Sequence, residues 1–143
     1  MEDDAPTYVA IRAQTARFMQ GSHLLAAQKA RQGGAPVYMY WLTYESDANG
    51  GILRSPHTLD IPFMFDNVEE SRVLVGSGEG PVILGEMMSD AWLSFAKTGT
   101  PASELLPEWQ PYSPDTRMVM ELNTEPKMVS DPEKGAREIL SRR

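Results

Sequence analysis

Eight consecutive residues, Val37-Tyr38-Met39-Tyr40-Trp41-Leu42-Thr43-Tyr44, are almost unbroken in apolar and aromatic character. The in-out alternation of a sheet with one wet face is missing. Such a run reads as a strand covered on both sides, typically an inner strand of a parallel sheet. Upstream, Val9, Ala13, Ala16 and Met19 recur at helical spacing over residues 7–19, with Pro6 suited to a first turn. Gly21-Ser22 reads as an interruption, with Ser22 as the N-cap of a second helix through Leu24, Leu25 and Ala27 that Gly33-Gly34 closes. His23, in the first turn of that second helix, reads as a surface residue. Helix, loop and inner strand in this order predict an α/β layered domain. An inner parallel strand needs neighbours, however, and no second run of this kind precedes it. The later candidates, residues 117–122 and 127–130, are shorter, more polar and close together, which reads as an edge hairpin or meander.

Residues 81–98 carry the clearest helical pattern. Leu84, Met88, Ala91, Trp92 and Phe95 form one apolar stripe, while Glu86, Asp90 and Lys97 lie off it. Gly99 ends the helix and Pro101 prevents its return. That stripe reads as core packing. Residues 107–114, with Trp109 and Tyr112, form an irregular aromatic segment. Asp131-Pro132 reads as an N-cap followed by a first-turn proline, opening a last helix to about residue 140. Between the strand and the long helix, Gly76-Ser77-Gly78-Glu79-Gly80 reads as a flexible surface loop. A phosphate cradle would need a following Lys-Ser/Thr that is absent.

The bulk numbers narrow the function. A chain of 143 residues is long enough for one domain with a sizeable core. A net charge of −7, with acids spread along the length, gives no strong attraction to nucleic acid or an anionic membrane. No apolar run reaches the length of a membrane span. Met-Glu-Asp-Asp at the start has the wrong charge for a signal peptide, so a cytoplasmic location is expected. The absence of cysteine removes disulfides, thiolate zinc sites and a cysteine nucleophile together. With two histidines and no clustered carboxylate spacing, neither a metal nor another cofactor is expected.

Chemistry concentrates on residues 50–65. Here His57 sits on a loop leaving the apolar strand, after Gly50-Gly51 and directly after Pro56. Glycines let the backbone turn, and proline restrains the residue before it to extended geometry. Ile61, Phe63 and Phe65 are expected to carry the chain back into the core. An imidazole between a flexible entry and a buried exit suits proton transfer. The alternative is a half-buried histidine bonded to a backbone carbonyl. A general base also needs a nucleophile within about 3 Å and a carboxylate to hold its tautomer. Gly-x-Ser-x-Gly does not occur, and the serine of Gly76-Ser77-Gly78 is out of register for it. Asp60, three residues on, reads more as a cap of the local turn than as the group that orients the ring.

An ordered set of segments resembles the C-terminal part of a type B carboxylesterase, in the α/β-hydrolase family of cholinesterases and bacterial para-nitrobenzyl-type esterases. Ala35-Pro36-Val37-Tyr38-Met39-Tyr40 resembles the family's Pro-Val-Tyr-x-Tyr strand. His57-Thr58-Leu59-Asp60-Ile61-Pro62-Phe63-Met64-Phe65 resembles its His-Gly-x-Glu-Leu/Ile-Pro-Phe/Tyr-x-Phe segment. Met88-Ser89-Asp90-Ala91-Trp92 and Phe95-Ala96-Lys97-Thr98-Gly99-Thr100-Pro101 resemble the end of its long helix. Trp109-Gln110-Pro111-Tyr112 matches its Trp-Pro-x-Tyr with one inserted residue. Four segments in this order, over about residues 35–132, carry the likeness. Thr58 stands where the family commonly has glycine, and Asp60 where it has glutamate.

The resemblance implies an incomplete α/β-hydrolase fold over residues 1–143: a partial sheet, flanking helices and a C-terminal edge hairpin. It implies that His57 is the general base of a serine esterase whose nucleophile, acid and oxyanion hole lie upstream of residue 1. It accounts for the unpaired strand, whose companions would belong to that portion. The chain alone is then expected to be inactive, with a small-molecule ester as substrate only when combined with the missing part. A non-catalytic binding or interaction module built on the same layers is the alternative. Either way an open sheet edge implies self-association or a complementing chain as partner.

Overall fold

The computed structural model describes residues 6–140, with side chains over residues 13–139. The stretch Met-Glu-Asp-Asp and the side chain of Val9 lie outside them. Helix α1 (Pro6–Arg31) is followed by strand β1 (Tyr40–Leu42), a short 3-10 turn (Ala48–Gly51) and two short helices, α2 (Asp60–Met64) and α3 (Arg72–Val75). Then come the long α4 (Gly80–Thr98), the strands β2 (Met118–Leu122) and β3 (Lys127–Ser130), and α5 (Lys134–Leu140).

One sheet of three strands runs in the order β1-β2-β3. Strands β2 and β3 form the expected antiparallel hairpin, with Val119 opposite Val129. β2 is nevertheless the central strand. It pairs parallel with β1, placing Tyr40 opposite Met120 and Leu42 opposite Leu122, and its Val119, Met120 and Leu122 are completely buried. The inner strand therefore has one neighbour among the described residues. Sequence proximity to β3 obscured it, because a parallel partner is reached only through a long crossover, here the one containing α4.

The aromatic strand is covered on both faces. Tyr38, Tyr40, Leu42 and Tyr44 pack against a core of Leu59, Phe63, Leu84, Met88 and Ala91. Val37, Met39 and Trp41 face a second core with Ala26, Ala27, Tyr112 and Val119. Side chains that alternate between two apolar layers give the unbroken hydrophobic reading. The three residues of β1 are still only half-buried, because its far edge is unpaired among the described residues.

Helix α1 is continuous where two helices were expected. Gly21-Ser22 does not break it: a mid-helix glycine costs only about 1 kcal/mol, and the Ser22 hydroxyl donates back to the Phe18 carbonyl at 3.1 Å. Docking of Ala26 and Ala27 beneath Met39 and Tyr112 outweighs that cost. Gly33, at φ +68°, ends the helix as anticipated. Asp131 does not cap α5. Its carboxylate takes two hydrogen bonds from Arg137, at 2.9 and 2.6 Å, and α5 begins only at Lys134.

Helix α4 matches its sequence pattern. Leu84, Met88 and Ala91 are fully buried, Met87 joins them, and Gly99 caps the end in the left-handed conformation with its N–H on the Phe95 carbonyl. Phe95 itself is 49% exposed. The residues after His57 depart from expectation. They form a helical turn, so Leu59, Pro62 and Phe63 face inward at helical spacing while Ile61 is 48% and Phe65 70% exposed. None of the described helices is long and apolar enough to cross a membrane.

Candidate active site

His57 lies on the loop that follows the carboxyl end of β1. Its ring is solvent-exposed and has no hydrogen-bond partner among the described residues. The backbone on either side is held. Gly50 and Gly51 take φ of +70° and +74°, closing a tight turn in which Gly51 N–H meets the Asp47 carbonyl and Ser46 N–H the Arg54 carbonyl. Two residues beyond His57, Leu59 is 1% exposed and anchors the turn in the core, its N–H on the Pro56 carbonyl at 3.2 Å. The buried exit expected of the loop is present, with Leu59 and Phe63 supplying the burial, whereas the entry expected to be flexible is a hydrogen-bonded turn.

Two side-chain ties brace it. Asp60 accepts a hydrogen bond from the Tyr40 hydroxyl at 2.8 Å, joining the start of α2 to β1. Burial and the neighbouring Asp60 carboxylate both push the Tyr40 hydroxyl's pKa upward. Asp60 therefore neither caps its own turn through a side-chain bond nor orients the imidazole. On the other side, Asp47 accepts the Ser77 N–H at 2.7 Å and the Ser77 hydroxyl, which holds its carboxyl below the usual range. Gly76 is required there: its φ is +91°, and a Cβ would lie 2.0 Å from the Asp47 carboxylate. Residues 76–77 are thus a pinned junction, whereas a free surface loop was expected. Nothing in the sequence announces the pair, since the partners are 30 residues apart.

Thr58 takes φ +74°, a left-handed conformation that a β-branched residue adopts at a cost of about 1–2 kcal/mol. This gives the expected glycine at that position a physical reason. Thr58→Gly should raise stability by roughly 0.5–1 kcal/mol after the larger chain entropy of glycine is subtracted. The urea midpoint would report it, and an unchanged or lower midpoint would contradict the strain.

Beside His57 the surface opens into a concavity of about 1540 Å³. Its walls are α1, through Phe18, Leu25 and Lys29, the exposed side of β1, and the turn from Ile52 to Ile61. Typical small-molecule sites occupy about 300–1,000 Å³ and are more enclosed. The edge of β1 faces this space. Met39 carbonyl and Thr43 N–H are bonded to β2, so by strand alternation the backbone groups of Tyr40 and Leu42 point away from it. The concavity is larger and more open than a typical small-molecule site, and one of its walls is a strand edge unpaired among the described residues. Trp41 lines the concavity, whereas Phe63 is core and Phe65 lies on the surface.

His23, read as a surface residue, is 4% exposed and touches the Tyr112 hydroxyl. Continuity of α1 decides this, because helical phase through Gly21 turns His23 onto the face shared with Ala26, Ala27 and Ala30.

The model of the carboxylesterase family matches residues 6–139. The para-nitrobenzyl esterase of Bacillus subtilis is 31% identical over 121 residues, which cover 81% of this chain and 24% of that protein. Phenmedipham hydrolase of Pseudarthrobacter oxydans is 25% identical over 76% of this chain and 22% of its own length. Among solved structures, a carboxylesterase of Geobacillus stearothermophilus superposes with a TM-score of 0.79 at 31% identity, over 96% of this chain and 29% of that one. The chain thus spans about a quarter of the length of the curated relatives it matches. Its small sheet with flanking helices is the C-terminal part of an α/β-hydrolase architecture, and the chain belongs to the carboxylesterase family.

Proposed function

We propose that this chain is the C-terminal part of a serine carboxylic-ester hydrolase and supplies its general base, His57. The observation that carries the reading is the setting of that imidazole: exposed, on the loop that follows β1 in the chain, lining the concavity that the open strand edge also borders. In sheets of this kind ligands gather outside the carboxyl ends of the strands. The ring takes the proton from a serine hydroxyl as its oxygen attacks the ester carbonyl, then returns it to the departing alcohol. The same imidazole next activates a water that releases the acyl group and regenerates the serine.

Serine, acid and oxyanion donors come from a complementing polypeptide seated on the concavity. Exposed Phe18 and Leu25, at 69% each, flank the edge of β1 and favour such a partner over a self-sufficient module. The pure chain should therefore show no serine-dependent turnover of p-nitrophenyl esters. Turnover by the chain alone, lost in His57→Ala, would overturn the proposed division of labour. A stable monomer with no affinity for a complementing fragment would instead favour the non-catalytic module.

A further inference from the structure

We propose that His23 is a proton-operated joint: neutral, it holds α1 against the β2–β3 end of the molecule, and a second proton on its ring loosens that contact. The proposal goes beyond the ester reading and needs no catalytic partner for its test.

The imidazole is enclosed. Nδ1 lies 3.2 Å from the Tyr112 hydroxyl, and Nε2 is buried with no hydrogen-bond partner among the described residues. The phenol oxygen also receives Arg117 at 3.4 Å and stands 3.4 Å from the His23 carbonyl. A neutral ring tolerates this arrangement, since one nitrogen is satisfied and the other carries no formal charge. A protonated ring has N–H on both nitrogens, and the one on Nε2 would carry charge into a space with no acceptor among the described residues.

The surrounding charges do not rescue it. From α1, the described residues lining the same crevice are Ala16, Met19 and Gln20, none of them charged. Arg117 stands at the entry to β2, Asp131 at the end of β3, Glu133 just beyond it and Arg137 on α5. Asp131 is the sole carboxylate of this group that is not on the surface, and it is already committed, at 2.6 Å to Arg137 and 3.8 Å to Arg117. Glu133 is exposed. An imidazolium would thus be a third cation around one engaged carboxylate.

Burial, with Arg117 and Arg137, lowers the His23 pKa below 6.5 against the opposing pull of Asp131. The unfolded or undocked chain then binds more protons than the docked one. The contribution of His23 to docking is whole above about pH 6.5 and is lost as pH falls through the lowered value. Carboxylates held low by their partners, Asp131 and Asp47, keep their contributions until the solution is far more acidic.

The consequence reaches the concavity. His23 and Met19 lie on one face of α1, while Phe18, Leu25 and Lys29 lie roughly 130° around the helix at 3.6 residues per turn. The joint therefore holds the wall that borders the space beside His57.

Amide hydrogen exchange on the full chain at pH 7.5 and pH 5.0, corrected for intrinsic rates, tests this. Protection over residues 19–31 should be lower at pH 5.0 than at pH 7.5, while α4 holds its protection. His23→Gln keeps a partner for Tyr112 but cannot titrate, and should flatten the response. Equal protection of α1 at both pH values, or the same loss in His23→Gln, would overturn the joint. Should His23→Gln fail to fold, NMR titration of the wild-type ring decides: titration at or above 6.5 with α1 still protected refutes it, and titration below 6.5 coincident with loss of α1 protection supports it.

Discussion

Mixed with a polypeptide that carries a Gly-x-Ser-x-Gly turn and the upstream part of the fold, the chain should restore turnover of p-nitrophenyl esters, and His57→Ala should abolish it. A loss on the order of 10⁴ to 10⁶ in kcat is expected, because removing the base of a serine triad leaves only binding and oxyanion stabilisation. The His57 ring is exposed and touches no described partner, so the variant should still bind the complementing fragment. Gel filtration of the mixture then separates lost chemistry from lost assembly. Asp60→Asn provides a sharper contrast. Its amide oxygen still accepts the Tyr40 hydroxyl, so activity should stay within about tenfold. Were Asp60 the carboxylate that orients the imidazole, the same change would cost about 10⁴-fold. A loss of that size would refute the role of Asp60 as a tether.

The second large effect is on stability. Phe63 is fully buried between α2 and α4, edge-on to Tyr44 with ring centroids 5.5 Å apart. Phe63→Ala should cost about 3–5 kcal/mol, the usual range for emptying an aromatic site in a core. For a chain of this size that lowers Tm by roughly 10 °C or more, and it removes a large part of a typical stability of about 5–15 kcal/mol. Two residues on, Phe65 is 70% exposed, and Phe65→Ala should change stability by no more than about 0.5 kcal/mol. Thermal melts of the pair test the helical turn directly. A strand entering the core would make the two losses similar, whereas the turn at Asp60–Met64 makes them very unequal.

Much of the architecture was legible where a signal is local. The stripe Leu84, Met88 and Ala91 with Gly99 behind it specifies a helix and its end, since periodicity and a left-handed cap act within a few residues. The alternating packing of Tyr38 to Tyr44 was visible as an unbroken apolar run. The hairpin of β2 and β3 was legible for the same reason. Errors fell where distant contacts outvote local preference. Gly21-Ser22 reads as a break, yet the packing of Ala26 and Ala27 carries α1 through it. Asp131 reads as a cap, yet Arg137 takes its carboxylate.

Of the candidate site, the amino-acid order alone picked out His57, the loop that bears it and the family whose segments surround it, because turn residues and ordered motifs are written along the chain. Folding alone decided what braces that loop: Tyr40 against Asp60, and Asp47 against Ser77 through the space left by Gly76. It also decided that His23 is enclosed and that a broad concavity borders the exposed imidazole. These depend on which surfaces meet across long separations, and burial and hydrogen-bond geometry exist only once they have met.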